Sequence, residues 1–181
     1  YGSPAYCQII PAGTIPALDD NGFKLCDSEA IAEYINEVAP TPAMLPVETK
    51  DRATARSLSR FHDSRIEPVL RAYFGQVAIA NRNASFIQDN ANLLQTRFDQ
   101  LVKMVTPAPF LCGNTLSLAD CGFAPSFAIL NRLQSLLGFS IQLGQSLRAY
   151  EIALASHPSV KDELHDYYAA LDRWVAAKLM A

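Results

Sequence analysis

The spacing of apolar residues after Pro46 is that of amphipathic helices, because apolar positions recur every three or four residues along most of the chain. The first stripe comprises Leu58, Phe61, Ile66, Val69, Tyr73 and Val77. Pro68 lies within it, and since proline lacks the donor that a helix interior needs, we expect a bend or break there. A second stripe comprises Ile87, Ala91, Leu94, Phe98, Leu101 and Val105. Three further helices are predicted, from Ser117, over about residues 143–156 and over about residues 159–179.

The residues before Pro46 follow a different pattern. The segments PALDDNG and FKLCDS predict two strands joined by a tight turn, in which Gly22 is free to adopt positive φ. A helix is predicted next, from the spacing of Ile31, Tyr34, Ile35 and Val38. A stiff linker then follows, because three of seven residues are Pro40, Pro42 and Pro46. We therefore predict a strand-containing α/β domain over residues 1–40, a linker over 41–46 and an all-helical domain over 47–181.

Composition and charge exclude several classes of function. The 181-residue chain is 50% hydrophobic, which is enough to bury a core without disulfides. Its net charge is −3 and it has no run of Lys or Arg, so we expect no nucleic-acid partner. Its apolar runs are far too short to span a bilayer, so we expect no membrane partner. The four cysteines lack metal-binding spacing, which favours reduced thiols in a cytoplasmic protein that holds no metal.

Pro16 stands immediately before the first predicted strand, although strand interiors avoid proline. One interpretation is an ordinary turn proline. The other is a cis Ile15–Pro16 bond, the isomer found at roughly 5–6% of X–Pro bonds in folded proteins. A cis bond would turn the main chain of Ile15 outward, where its N–H and C=O could pair with an extended peptide as an added strand does.

The acid–Ser pair Asp27-Ser28 stands at the start of the helix predicted after the hairpin. One interpretation is an N-cap, which contributes about 1 kcal/mol. The other is a site for an anion, because the free N–H groups of a helix start and the Ser28 hydroxyl would bind a carboxylate. Asp27 would then face a cation such as an α-amino group. A ligand with an amino acid head and a peptide tail would satisfy both this pair and Ile15.

The segment IIPAGTIPALDDNGFKLCDSEAIAEYI, residues 9–35, resembles the second half of the thioredoxin-like domain of cytosolic glutathione S-transferases, as in bacterial or zeta-like members. That family's pattern is Asn-Pro-x-Gly-x-Val-Pro-x-Leu, followed by an acid–Ser pair that opens a helix. The chain departs from it at Ile10, where the family has Asn. A second segment, FLCGNTLSLADCGFAP, is similar to the family's Gly-x-x-Leu-Ser/Thr-x-Ala-Asp helix start. Here Ser117 and Asp120 form a predicted capping box with a structural role.

The resemblance implies the fold class, which is α/β plus all-α: the C-terminal part of a thioredoxin-like domain followed by an all-helical glutathione transferase domain. In the family this first domain begins with a strand, a helix and a second strand, and almost none of that unit precedes Tyr1. The family's activating Ser, Tyr or Cys lies at the start of that helix, and no residue of the 181 matches it. Cys7 is interpreted as a structural thiol.

The resemblance also implies a function. Pro16 would be cis, Ile15 would pair with the cysteinyl unit of glutathione, and Asp27-Ser28 would hold its γ-glutamyl end. The enzyme would use glutathione as co-substrate to conjugate, isomerise, reduce or dehalogenate a small hydrophobic electrophile. We expect the electrophile pocket to lie between the domains, with a helical wall that comprises Phe61, Arg65 and Phe74. These three side chains also fit core, dimer or solvated positions.

A homodimer is expected, because the family forms one. The predicted interface combines the stripe from Ile87 to Val105 with the helix that contains Phe61 and Tyr73. A non-catalytic binding or scaffold protein of the same fold is the alternative function, and Ile10 in place of Asn leaves room for it. The intact Asp27-Ser28 pair argues against that alternative, since a scaffold does not need it.

Overall fold

The structure, a computed structural model, describes residues 1–180, and its contacts divide the chain after Pro46 into two units. The first unit comprises helix α1 (Pro4–Ile9), strands β1 (Ala17–Asp20) and β2 (Phe23–Cys26), and helix α2 (Ser28–Val38). Residues 41–46, for which the sequence predicts a linker, fall within this unit. The N–H of Met44 donates to Asn36 Oδ1 at 2.8 Å, which ties the proline-rich segment to α2.

Strands β1 and β2 form the predicted hairpin, an antiparallel pair in which Asp20 lies opposite Phe23. The two residues between them, Asn21 and Gly22, have φ of 51° and 94°. Positive φ at both positions is the type I′ geometry that matches the twist of paired strands, and Asn-Gly is a preferred sequence for it. Ile10, which replaces the family's Asn, is buried in the core of this unit.

The regular elements of the second unit are helices. They are α3 (Thr49–Phe61), α4 (Glu67–Ala72), α5 (Ala84–Met104), α6 (Leu118–Cys121), α7 (Phe123–Leu137), α8 (Gly144–Ser156) and α9 (Pro158–Leu179). Short 3-10 turns over Tyr73–Gln76 and Ile79–Asn81 follow α4. Within residues 1–180, no helix combines the length and the apolar character that crossing a membrane requires.

The first predicted helix of this unit is interrupted just before Pro68, by a π-helical turn over His62–Ile66. Pro68 itself lies in the first turn of α4, where helices tolerate proline. The buried His62 ring lies with Nδ1 2.8 Å from Asp63 Oδ1 and Nε2 2.8 Å from Ser126 Oγ of α7. Both ring nitrogens are therefore satisfied, and the contact with Ser126 ties the turn to α7.

We expect Gly122→Ala to destabilise the protein by about 1–3 kcal/mol, the usual cost of overpacking a core. A Cβ at this position would lie 2.5 Å from both Cε1 and Nδ1 of His62, and the hydrogen-bonded ring has little freedom to move away. Urea denaturation measures the loss. In a His62→Ala background the obstacle is gone, so adding Gly122→Ala should cost nothing more; additive losses would contradict this contact.

The core of the second unit contains the apolar stripe of α5. Its residues Ile87, Ala91, Leu94, Phe98 and Leu101 are buried. Tyr73 is also buried and stacks on Phe139, with 4.5 Å between the ring centroids. The dimer interface predicted from this stripe and from Tyr73 is therefore wrong for these side chains, because they pack within the chain's own core.

Candidate functional site

The loop that leads into β1 has the conformation that the sequence predicts for a peptide-binding loop. The Ile15–Pro16 bond is cis, as predicted. Ile15 is 62% exposed, and its main chain forms no hydrogen bond within residues 1–180. The Tyr6 hydroxyl of α1 donates to the carbonyl of Thr14 at 2.7 Å, which fixes the loop immediately before Ile15. The main chain of Ile15 is thus exposed and available for pairing.

The two features selected from the sequence meet at one end of the hairpin. Ala17 lies opposite Cys26 in the register of β1 and β2. The next residue outward on each strand is therefore Pro16 on one side and Asp27 on the other. Directly opposed residues of an antiparallel pair have Cα atoms about 4.5–5.5 Å apart. The loop of Ile15 and the start of α2 therefore lie side by side.

Asp27 is the N-cap of α2. Its Oδ1 accepts from the N–H groups of Glu29 at 3.1 Å and Ala30 at 3.0 Å, which confirms the capping interpretation for this residue. Its φ of 84° is rare for a residue other than glycine, and such conformations cost about 1–3 kcal/mol. Because Asp27 occupies two of the first N–H groups of the helix, those groups are not the open anion donors that the sequence suggested.

Ser28, the first residue of α2, is exposed. Neither its hydroxyl nor its N–H has a hydrogen-bond partner in the described part of the chain. The positive end of the helix lies at this position. The structure thus provides two adjacent unused donors for a carboxylate, and the capping carboxylate of Asp27 stands next to them.

Comparisons with known proteins identify a matching family model and several similar proteins. The family model described as Glutathione S-transferase, N-terminal domain, matches residues 2–37. A probable maleylacetoacetate isomerase 1 of Drosophila melanogaster is 27% identical over 91% of this chain and 68% of its own length. The maleylacetoacetate isomerase of Mus musculus is 29% identical over 82% of this chain and 69% of its own. The chain is thus similar to members of the glutathione S-transferase family.

Solved structures of glutathione transferases share the fold. A delta-class glutathione transferase of Nilaparvata lugens superposes with a TM-score of 0.79 at 19% identity, covering 97% of this chain and 81% of that one. Glutathione transferase URE2P5 of Phanerochaete chrysosporium gives a TM-score of 0.77 at 24% identity, covering 94% and 79%. These likenesses confirm the predicted fold class. This chain spans about two thirds of the length of the isomerases named above.

The three residues predicted to line an electrophile pocket have different surroundings. Phe61 ends α3 and is half-buried, whereas Arg65 is exposed on the π-helical turn. Phe74 is half-buried against Trp174 of α9, with 4.9 Å between the ring centroids, and the guanidinium of Arg71 lies 5.8 Å from the Phe74 centroid. The structure thus groups Phe74 with Arg71 and Trp174, which the sequence did not single out.

The predicted capping box of Ser117 and Asp120 is present. Asp120 is completely buried and accepts four hydrogen bonds. Two come from Ser117, from its N–H at 2.9 Å and its hydroxyl at 2.8 Å. The others come from the N–H of Leu111 at 3.0 Å and the hydroxyl of Tyr150 at 2.9 Å. Burial and the charge of Asp120 raise the pKa of Tyr150 well above its usual value, so that hydroxyl keeps its proton.

Two other groups of side chains contain residue types that serve as nucleophiles in enzymes, but here we assign them structural roles. Asp63, His62 and Ser126 have the connectivity of a hydrolase triad, but Ser126 is only 7% exposed within α7 and no substrate reaches it. Cys7 is half-buried, with its Sγ 3.1 Å from where a Cβ on Gly13 would lie. Within residues 1–180 no three His, Cys, Asp or Glu side chains form a metal-binding group.

Proposed function

We propose that this protein is a glutathione-dependent transferase or isomerase, which uses glutathione as co-substrate. The observation that carries the proposal is the end of the hairpin, where the exposed main chain of Ile15 lies beside the unused donors of Ser28. Ile15, Pro16, Asp27 and Ser28 are the proposed glutathione-binding residues. The residue that activates the thiol is not proposed to be among them.

The proposed site matches the chemistry of glutathione group by group. The γ-glutamyl carboxylate would accept from the N–H and hydroxyl of Ser28, at the positive end of α2. The α-amino group would face Asp27, whose Oδ2 takes no part in capping. The cysteinyl unit would pair with the main chain of Ile15, as an extended strand does. Recognition therefore depends on the γ-glutamyl head and on the peptide backbone.

The reaction class follows from the relatives. Maleylacetoacetate isomerases and a maleylpyruvate isomerase are among the proteins most similar to this chain, at 27–29% identity. We propose that glutathione is conjugated to a small hydrophobic electrophile, or is used to isomerise, reduce or dehalogenate it. The four free cysteines suit a cytoplasmic protein. A homodimer is also proposed, with an interface other than the buried stripe of α5.

A non-catalytic protein of the same fold is the second candidate. It is favoured by a relative from Pasteurella multocida with no enzyme name, a stringent starvation protein A homolog, which is 30% identical over 79% of this chain and 64% of its own length. The presence of Ile10, where the family has Asn, also favours the non-catalytic candidate. Turnover with glutathione and an electrophile separates the two candidates, because only the enzyme consumes both.

Glutathione should bind the 181-residue chain at least about tenfold more tightly than the dipeptide Cys-Gly, which lacks the γ-glutamyl unit. The physical reason is that hydrogen bonds to a charged group contribute about 1.5–3 kcal/mol, and Cys-Gly has no carboxylate to place at Ser28. Isothermal titration calorimetry of both ligands measures the difference. Equal affinities would show that the start of α2 does not recognise the γ-glutamyl head, and the proposed function would lose its main support.

A further inference from the structure

A cation and several aromatic rings come together within the second unit, where the end of α4 meets α9. The guanidinium of Arg71 lies over the ring of Phe74, and the rings of Phe74 and Trp174 pack edge to face. Tyr167 lies two turns before Trp174 on α9, and this spacing places the two side chains on the same face of that helix. We call Arg71, Phe74, Tyr167 and Trp174 the Arg71 cluster.

Arg71 is held so that its terminal nitrogens stay available. Its Nε donates to Glu67, one turn earlier on α4. Its side chain is 68% exposed, and its two terminal nitrogens form no hydrogen bond within residues 1–180. A guanidinium presents its donors as a planar fork that matches a carboxylate. Glu67 thus orients the fork and leaves its outer edge free for an anion.

The aromatic side chains beside Arg71 provide an apolar surface. Phe74 and Trp174 are both half-buried, so each still presents part of its ring to solvent. Burial raises the pKa of Tyr167, while the charge of Arg71 acts in the opposite direction. The Tyr167 phenol therefore stays neutral at physiological pH and offers both a donor and an apolar ring.

Tyr167 also lines a cavity of about 380 Å³ between the start of α6 and α7 and the first turns of α9. The apolar part of its wall comprises Leu116, Ala124, Pro125, Val160 and Leu164. The two carboxylates at this cavity are Asp120, which is saturated by its own donors, and Glu163. Because Glu163 repels an anion, a ligand with one carboxylate would direct that group away from this cavity and toward Arg71.

We propose that the Arg71 cluster binds a small apolar molecule that carries a carboxylate. The carboxylate pairs with the terminal nitrogens of Arg71, and the apolar part lies against Phe74, Tyr167 and Trp174 and extends toward the cavity. This inference goes beyond the proposed function, because the cluster lies within the second unit whereas the proposed glutathione-binding residues lie in the first. Arg71, rather than the exposed Arg65 of the π-helical turn, determines this preference.

The chain carries its own reporter for this site, because Trp174 is its only tryptophan. Titration with 4-phenylbutyrate, followed by Trp174 emission with excitation at 295 nm and without glutathione, should give a saturable change. Its uncharged analogue 4-phenylbutanamide should bind about tenfold or more weakly, since it lacks the charge that pairs with Arg71. Equal affinities for the acid and the amide, or the absence of any saturable change, would overturn the proposal.

Arg71→Gln should weaken 4-phenylbutyrate about tenfold or more and leave the affinity for the amide unchanged. Arg148→Gln is the matched control, because Arg148 is also an exposed helical arginine paired with a carboxylate, Glu151, one turn away. It should bind both ligands like the wild type. Equal affinities of the two variants for the acid would refute the role of Arg71. Calorimetry with glutathione tests the proposed function separately: glutathione binding that fails while the response to 4-phenylbutyrate persists would refute only that function.

Discussion

Ser28→Ala is expected to weaken the binding of glutathione about 10- to 150-fold. The hydroxyl of Ser28 is one of two donors at the start of α2 that have no partner within residues 1–180. A hydrogen bond from it to the γ-glutamyl carboxylate would contribute about 1.5–3 kcal/mol, which is the range that corresponds to this loss of affinity. Calorimetric titration of glutathione into the wild type and the variant measures it directly.

The stability of Ser28→Ala should remain close to that of the wild type. Asp27 caps α2 through Glu29 and Ala30, so the hydroxyl of Ser28 is not needed to start the helix. Ser159→Ala is the matched control, since Ser159 is also an exposed serine in the first turn of a helix. It should change neither stability nor glutathione affinity. If Ser28→Ala bound glutathione as tightly as the wild type, its hydroxyl would have no part in recognition.

Features encoded over a few residues could be predicted from the sequence. The Asn21-Gly22 turn needs only two residues with positive φ, and the capping box needs only Ser117 and Asp120 at the correct spacing. The last two helices begin within one residue of their predicted positions, because Gly144 and Pro158 interrupt the apolar pattern locally. Each of these features depends on contacts within one turn of the chain.

Features that depend on distant residues could not be predicted in the same way. The periodicity of α5 identifies its apolar face but does not show what covers it, which is why its stripe was assigned to a dimer interface instead of the core. Trp174 lies one hundred residues after Phe74, so no local pattern joins them. The fork of Arg71 is a partial exception. Arg71 lies four residues after Glu67 and three before Phe74, and residues at these spacings are neighbours on a helix surface. These two contacts of Arg71 could therefore be predicted from the sequence.

The buried carboxylate of Asp120 shows how a local motif acquires a wider role. The capping box accounts for the two hydrogen bonds from Ser117. The donors Leu111 and Tyr150 come from the loop before α6 and from α8, which the motif does not reveal. No cation pairs with Asp120 in the described residues, so these four donors alone compensate its buried charge. A single side chain thus joins α6 to two other parts of the helical unit.

Asp120→Ala should destabilise the protein by about 3–6 kcal/mol, among the largest effects expected of one substitution here. It leaves the N–H of Ser117, the N–H of Leu111 and the hydroxyl of Tyr150 without their acceptor, and each buried donor left unpaired costs about 1–3 kcal/mol. Urea denaturation followed by circular dichroism measures the loss. Asp89→Ala is the control, because Asp89 is exposed on α5 and should change stability by less than about 0.5 kcal/mol.

Tyr150→Phe tests whether Asp120 stabilises the protein through its hydrogen bond with Tyr150 of α8 as well as through the capping box. It removes one donor and leaves the capping box intact, so we expect a loss of about 1 kcal/mol in the wild-type background. In the Asp120→Ala background the same change removes a donor that already lacks its acceptor, and the added loss should vanish or become a gain. Such non-additivity is the sign of direct contact. If the two losses simply added, Asp120 would act as a helix cap alone, and the junction with α8 would depend on packing around Tyr150.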